Sequence, residues 1–166
     1  VISNNTNQRY RVTSEGLVML DDSVGKKNMT DPDTLTDFID FCTENYPANR
    51  YALIFWDHGG GAISGYGYDQ HFSGSMTLDE INSALKRSGA KFDFIGFDAC
   101  LMATMETALV AEQYADYLIA SEETEPGTGR DYSAMSSAIA KNPGISGAKP
   151  GQVTCDRYGE ACTASR

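Results

Sequence analysis

The chain has 166 residues, 41% of them apolar, and its 13 Lys+Arg against 23 Asp+Glu leave a net charge of −10. That length suits the core of one ordinary domain, and the composition excludes a disordered chain. The acidic balance argues against nucleic acid as the main partner and against a polybasic membrane anchor. No apolar run reaches the roughly 18–20 residues that span a bilayer.

The amino end, Val1 to Asn5, lacks the charged and apolar stretches of a signal peptide and does not start with Met. A mature product or an excised piece is the expectation. Arg9-Tyr10-Arg11-Val12 and Leu17-Val18-Met19-Leu20 are short strand candidates that suit a hairpin. A helix then opens at Thr30 or Asp31, with Pro32 at its first position and Leu35, Phe38, Ile39 and Cys42 as one buried stripe. Pro47 closes it.

Tyr51 to Trp56 is a continuous apolar run of six, the pattern of a strand buried on both faces of a parallel sheet. Trp56 is expected in the core. The run leads directly into His58-Gly59-Gly60-Gly61. After a Gly/Tyr/Ser-rich loop, Thr77 and Glu80 form a capping box for a helix with Ile81, Ala84 and Leu85 on its apolar face. Phe92 to Phe97 is a second strand, leading into Asp98-Ala99-Cys100. A helix over about Met102 to Tyr114 follows, with Met102 and Met105 read as core. Tyr117 to Ala120 makes a third strand, which enters the acidic loop Ser121 to Gly129. A helix over Tyr132 to Ala140 stops at Asn142-Pro143-Gly144, and residues 145–166 carry no clear period.

Alternating strands and helices predict right-handed βαβ crossovers and an α/β fold with a mostly parallel sheet. Three strands make a thin sheet. Either the hairpin joins it, or part of the sheet lies outside this chain.

Ligands of such sheets gather beyond the carboxyl ends of the strands. His58 and Cys100, 42 residues apart, both fall there. A thiol works as a nucleophile when an imidazole stabilises the thiolate and later protonates a leaving amine. Cys100 is placed near the start of the following helix, where the dipole favours a thiolate. Gly59 to Gly61 let the backbone turn and aim N–H groups at a developing oxyanion. Each residue alone has a plain structural reading, as a small buried thiol or a structural imidazole; it is their shared position that points to catalysis.

The segments Phe55-Trp56-Asp57-His58-Gly59 and Gly96-Phe97-Asp98-Ala99-Cys100-Leu101-Met102 resemble the clostripain-like cysteine peptidases, which have a caspase-type fold. The resemblance covers roughly residues 28–135. It implies a three-layer α/β/α, caspase-like sandwich, with residues 1–144 as a peptidase domain lacking upstream and downstream strands and 145–166 as a flexible or processing-linked tail. It implies Cys100 as nucleophile, His58 as general acid, and the N–H groups of Gly59 and Cys100 as oxyanion donors. It further implies cleavage after Arg or Lys, with Asp98 as a pocket acid. The other reading of Asp98 is that it orients the Cys100 loop.

Two features depart from the family pattern. Thr128 stands where the family's Pro-Gly-Asp-Gly segment carries a second pocket acid, so basic preference rests on Asp98 with help from Glu125. Some relatives are cut at a basic residue between the His and the Cys, whereas the interval from His58 to Gly74 holds no Lys or Arg. The chain ends at Arg166, which suits a cut after Arg and equally an arbitrary boundary. The resemblance also implies a zymogen, a secreted or cell-envelope location of bacterial type, a peptide or protein substrate, and a second chain of the same precursor as partner. No nucleic acid, membrane or metal ligation is expected of the site. The chemistry requires no cofactor, although calcium dependence occurs in the family and the acidic loops are open to Ca²⁺. The rival reading is a non-catalytic caspase-like module that binds peptides or partners. A Cys155–Cys162 bridge is compatible with a secreted protein.

Overall fold

The computed structural model describes residues 6–127 and 129–164. Thr128 and the side chain of Cys162 lie outside the described residues, and with them the pocket role of the former and the bridge of the latter.

The hairpin forms as read, from β1 (Asn7–Thr13) and β2 (Gly16–Gly25), paired antiparallel with Val12 opposite Leu17 and Thr13 opposite Gly16. It makes a two-stranded sheet of its own and does not join the central one. Helix α1 (Pro32–Asn45) starts at Asp31, whose carboxylate accepts from the N–H of Asp33 at 2.8 Å, and Pro32 takes the position where an N–H has no partner anyway. Its buried stripe is narrower than the periodicity suggests. Ile39 is buried and Leu35 packs against the core, but Phe38 faces solvent.

The central sheet has the order β3 (Ala52–Trp56), β4 (Phe92–Asp98), β5 (Ala115–Ile119), all parallel. Leu53, Phe55, Ile95 and Phe97 face α1 and α3 (Leu78–Ser88) in the main core, while Phe94 and Ile119 face Met135 on the opposite side. Each face is thus covered, which is why the strands read as continuous apolar runs. Phe55 and Phe97 stack across β3 and β4 with centroids 4.6 Å apart, and Tyr66 packs edge-on against both. Trp56 departs from the expected core position and is 65% exposed. It pairs with Asp98 in the last rung of the sheet.

Helix α3 has the expected capping box, with Thr77 and Glu80 bonded reciprocally, and Gly89 closes it in the left-handed region at φ 64°. The helix after Cys100 is much shorter than its apolar pattern. After the single turn α2 (Gly61–Ser64), α4 covers only Met105–Ala111 and is capped by Thr104. The preceding residues are diverted, since Leu101 N–H donates to Glu123 O at 3.1 Å and Ala103 N–H to Ser121 O at 2.9 Å. Met102 is fully buried, whereas Met105 is 73% exposed and not core.

On the second face lie α5 (Tyr132–Lys141) and α6 (Ala148–Ala164), packed on each other. The aperiodic stretch read as a flexible tail is therefore largely helical. Pro150 falls in the first turn, where its missing N–H costs no helical bond. A Cβ on Gly151 would sit 3.3 Å from the Ile119 side chain, so the small residues that hide the period are those that let α6 lie close to the sheet.

Candidate active site

Three loops leave the carboxyl ends of β3, β4 and β5, and their residues meet. Gly59 is the point of closest approach. A Cβ there would fall 2.2 Å from Cys100 O, 2.9 Å from Met102 Cγ and 3.1 Å from Ala99 Cβ. Only glycine lets the His58 loop press against the backbone that carries Cys100. Upstream, Asp57 N–H donates to Asp98 O at 3.4 Å, tying the same two strand ends together.

The glycine loop is held in a fixed shape. Gly67 N–H donates to His58 O, and Gly60 N–H to Gly65 O, each at 2.9 Å. Tyr66 bridges to both Gly59 and Met76. Burial, reinforced by the charge of Asp57, pushes the Tyr66 hydroxyl well above the ordinary tyrosine range. His58 is exposed, with its ring edge-on to Tyr68 at 6.3 Å between centroids. The two rings, with Gly59, Gly60, Ser64, Gly65, Gly67 and Ser75, border an open groove of about 470 Å³.

Cys100 lies in the turn after β4 and is partly buried. It is not at a helix start. Four residues separate it from α4, and that helix has only seven, so the expected dipole contribution is absent. The thiol is instead placed by the loop after β5: its Sγ accepts from Glu125 N–H at 3.2 Å. The next residue, Leu101, has φ 63° without being glycine. A branched side chain in that region is strained, and the bonds to Glu123 and Ser121 on either side of the turn hold it there.

Asp98 is 4% exposed. One carboxylate oxygen, Oδ2, accepts from the Tyr132 hydroxyl at 2.7 Å and from Arg130 N–H at 3.2 Å. Gly129, at φ 68°, brings the loop so near that a Cβ would lie 3.1 Å from Asp98 Oδ2 and 3.7 Å from the Trp56 indole nitrogen. Glu125 Oε1 pairs with the Arg130 guanidinium at 2.6 Å, their side chains 7% and 8% exposed. Arg130 also donates to Ile119 O at 3.2 Å. Burial holds the Glu125 carboxyl above its ordinary range; Arg130 opposes that rise and the charge of Asp98 reinforces it. Burial and the bond to Asp98 likewise raise the Tyr132 phenol above the tyrosine range.

The structure thus gathers Cys100, Gly59, Asp98 and Glu125, with His58 on the loop that Gly59 presses against the cysteine turn. It adds two residues that sequence reading passed over, Arg130 and Tyr132. A signal for the first was present: Arg130 is the only Lys or Arg between Lys91 and Lys141, set beside an acidic loop. Among the described residues no cluster of three or more His, Cys, Asp and Glu is arranged to hold a metal. No helix among them is long and apolar enough to cross a membrane.

The chain is similar to known proteins in both sequence and fold. Clostripain of Hathewaya histolytica is 34% identical over an alignment 139 residues long that covers 70% of this chain and 26% of that protein. A secreted C11 cysteine protease from Bacteroides thetaiotaomicron, solved with an irreversible peptide inhibitor, superposes with a TM-score of 0.75 at 27% identity, over 92% of this chain and 44% of that one. An inactive zymogen C11 protease from Parabacteroides distasonis gives a TM-score of 0.62 at 30% identity, over 76% and 37% of the two chains. The fold is therefore the caspase-like α/β arrangement of those proteases. The chain spans about a quarter of the length of clostripain and less than half of the solved chains. The family model for Peptidase_C11 matches residues 2–166, and the chain belongs to the clostripain family.

Proposed function

We propose that the protein containing this chain is a cysteine endopeptidase that cuts after Arg or Lys, with Cys100 and His58 as its catalytic dyad. The observation that carries the reading is the contact at Gly59, which sets the His58 loop against the backbone of Cys100. His58 takes the proton from Cys100 Sγ, and the sulfur attacks the scissile carbonyl carbon. The carbonyl electron pair moves onto oxygen, where the N–H groups of Gly59 and Cys100 receive it. As the C–N bond breaks, the imidazolium gives its proton to the leaving amine. Water, deprotonated by His58, then cleaves the thioester and restores the thiol. No metal or cofactor enters these steps.

Asp98 and Glu125 supply the negative charge for a cationic side chain next to the scissile bond, both being close to the nucleophile in the chain or in space. The bonds to Tyr132 and Arg130 also fit the loop-orienting reading of Asp98, and the two roles are compatible. Secretion and a second chain from the same precursor belong to the same proposal; the similar C11 protease of Bacteroides thetaiotaomicron is a secreted one.

The experiment is hydrolysis of peptides bearing Arg, Lys or a neutral residue before the bond, using the full-length protein. Activity on the basic peptides that falls about 10²-fold or more in His58→Ala, and is abolished in Cys100→Ala, is the expected result. A folded, fully processed protein without such activity is instead the peptide-binding module.

A further inference from the structure

Arg130 places a cation where the proposed function needs an acid pair to receive one. Its guanidinium engages Glu125 Oε1 and Ile119 O, and its backbone N–H engages Asp98 Oδ2. Both side chains of the Arg130–Glu125 pair are more than nine-tenths buried. Among the described residues, no donor reaches the second oxygen of Glu125, Oε2, which is buried. Buried carboxylate oxygens are normally satisfied, so an unsatisfied one on the residue that bonds Cys100 Sγ marks an acceptor that no described residue fills. Arg130 thus neutralises the pair's second charge while occupying only half of Glu125.

We propose that Arg130 is a specificity-determining residue, which competes with the substrate's cationic side chain for Glu125 and thereby lowers the enzyme's preference for Arg over Lys. The inference rests on the basic-cleavage reading above. A substrate guanidinium gains over an ammonium by placing its planar fork on fixed, paired acceptors. With Glu125 Oε1 committed to Arg130 and Asp98 Oδ2 to Tyr132, two-carboxylate forking is restricted. A lysine ammonium needs only a point of negative charge and loses less. Removing the guanidinium charge of Arg130 releases Glu125 to act with Asp98, and the benefit falls mainly to Arg substrates.

The test compares kcat and KM of the full-length protein and its variants on matched peptides that differ only in Arg or Lys before the cleaved bond. Arg130→Met removes the charge. Arg130→Gln also removes it but keeps an amide that can bond to Glu125, so it covers the case in which Met impairs folding. The expected result is an Arg/Lys ratio of kcat/KM that rises about tenfold in Arg130→Met, and less in Arg130→Gln, carried mainly by a lower KM for Arg. Arg130→Lys should keep the ratio near that of the unaltered protein. The double variant Glu125→Gln/Arg130→Met should lose the gain, because the acceptor set free is Glu125. A ratio within twofold of the unaltered protein in both Met and Gln variants overturns the inference while leaving basic cleavage intact, and so does a gain that persists in the double variant. If the unaltered protein cuts after neither Arg nor Lys while Cys100 still cleaves other peptides, the basic-cleavage reading fails and takes this one with it.

Discussion

Glu125 donates its backbone N–H to Cys100 Sγ at 3.2 Å while its carboxylate holds the Arg130 guanidinium at 2.6 Å. One residue therefore joins the sulfur to the buried charges behind it. The loop after β5 that places the thiol is itself fixed to Asp98 through Arg130 N–H and the Tyr132 hydroxyl. Changes to the acid pair and changes to thiol placement are thus coupled, and mutations here are not expected to be additive.

Gly59→Ala is the sharpest test of the loop contact. Its Cβ would meet Cys100 O, a backbone atom that cannot turn aside as a side chain end would. The two loops must separate, at about 1–3 kcal/mol of stability, which would pull the proposed dyad apart. The variant should lose about 100-fold or more in kcat/KM, with a lower Tm. Near-normal turnover would show that the His58 and Cys100 loops need not meet for catalysis.

Tyr132→Phe removes a donor from a carboxylate that is almost fully buried. The expected loss is about 1.5–3 kcal/mol, measured by denaturant unfolding. The same variant identifies the raised phenol. Ultraviolet titration should show a late-ionising class of tyrosines, to which Tyr66 also belongs, that is one tyrosine smaller in Tyr132→Phe.

The Glu125 carboxyl gives a pH dependence with a definite sign. Its folded pKa is raised above the ordinary value of 4.5, so the folded state binds the proton more tightly than the unfolded state does. Stability from this group is therefore highest at low pH and falls as pH rises from the unfolded value through the folded one. Glu125→Gln, which mimics the neutral form, should gain Tm relative to the unaltered protein across that window and hold the difference above it. A difference that shrinks with rising pH would mean that the pairing with Arg130 outweighs burial.

Thr128→Asp adds an acid at the position where the family pattern has one. The Arg/Lys ratio of kcat/KM should rise by about tenfold, the scale of one added charged hydrogen bond. An equal or reversed ratio would remove position 128 from the pocket.

Much of this architecture is legible in the residues because the signals are local. The capping box of Thr77 and Glu80, Pro32 after Asp31, and the apolar runs of β3 and β4 each act within a few residues. The placement of His58 and Cys100 follows from those strands ending where they do. What was not legible depends on distant partners. The helix pattern over Met102 to Tyr114 is cut short because Leu101 and Ala103 donate to the loop after β5. The apolarity of Trp56 gives no notice that it lies on the last rung of the sheet. The tail's small residues read as irregular until Gly151 is seen against Ile119. Arg130 pairs with Glu125 only because the loop turns back between them, and charge counting alone places both on the surface.

The central claim is that Cys100 is a nucleophile served by a pocket for basic side chains. Its most direct measurement is the intact mass of the full-length protein after incubation with an Arg-based thiol-reactive inhibitor. One adduct is expected, absent in Cys100→Ala and slowed by an excess of an Arg peptide. A folded, processed protein that stays unmodified, or one modified equally well after Cys100→Ala, would contradict it.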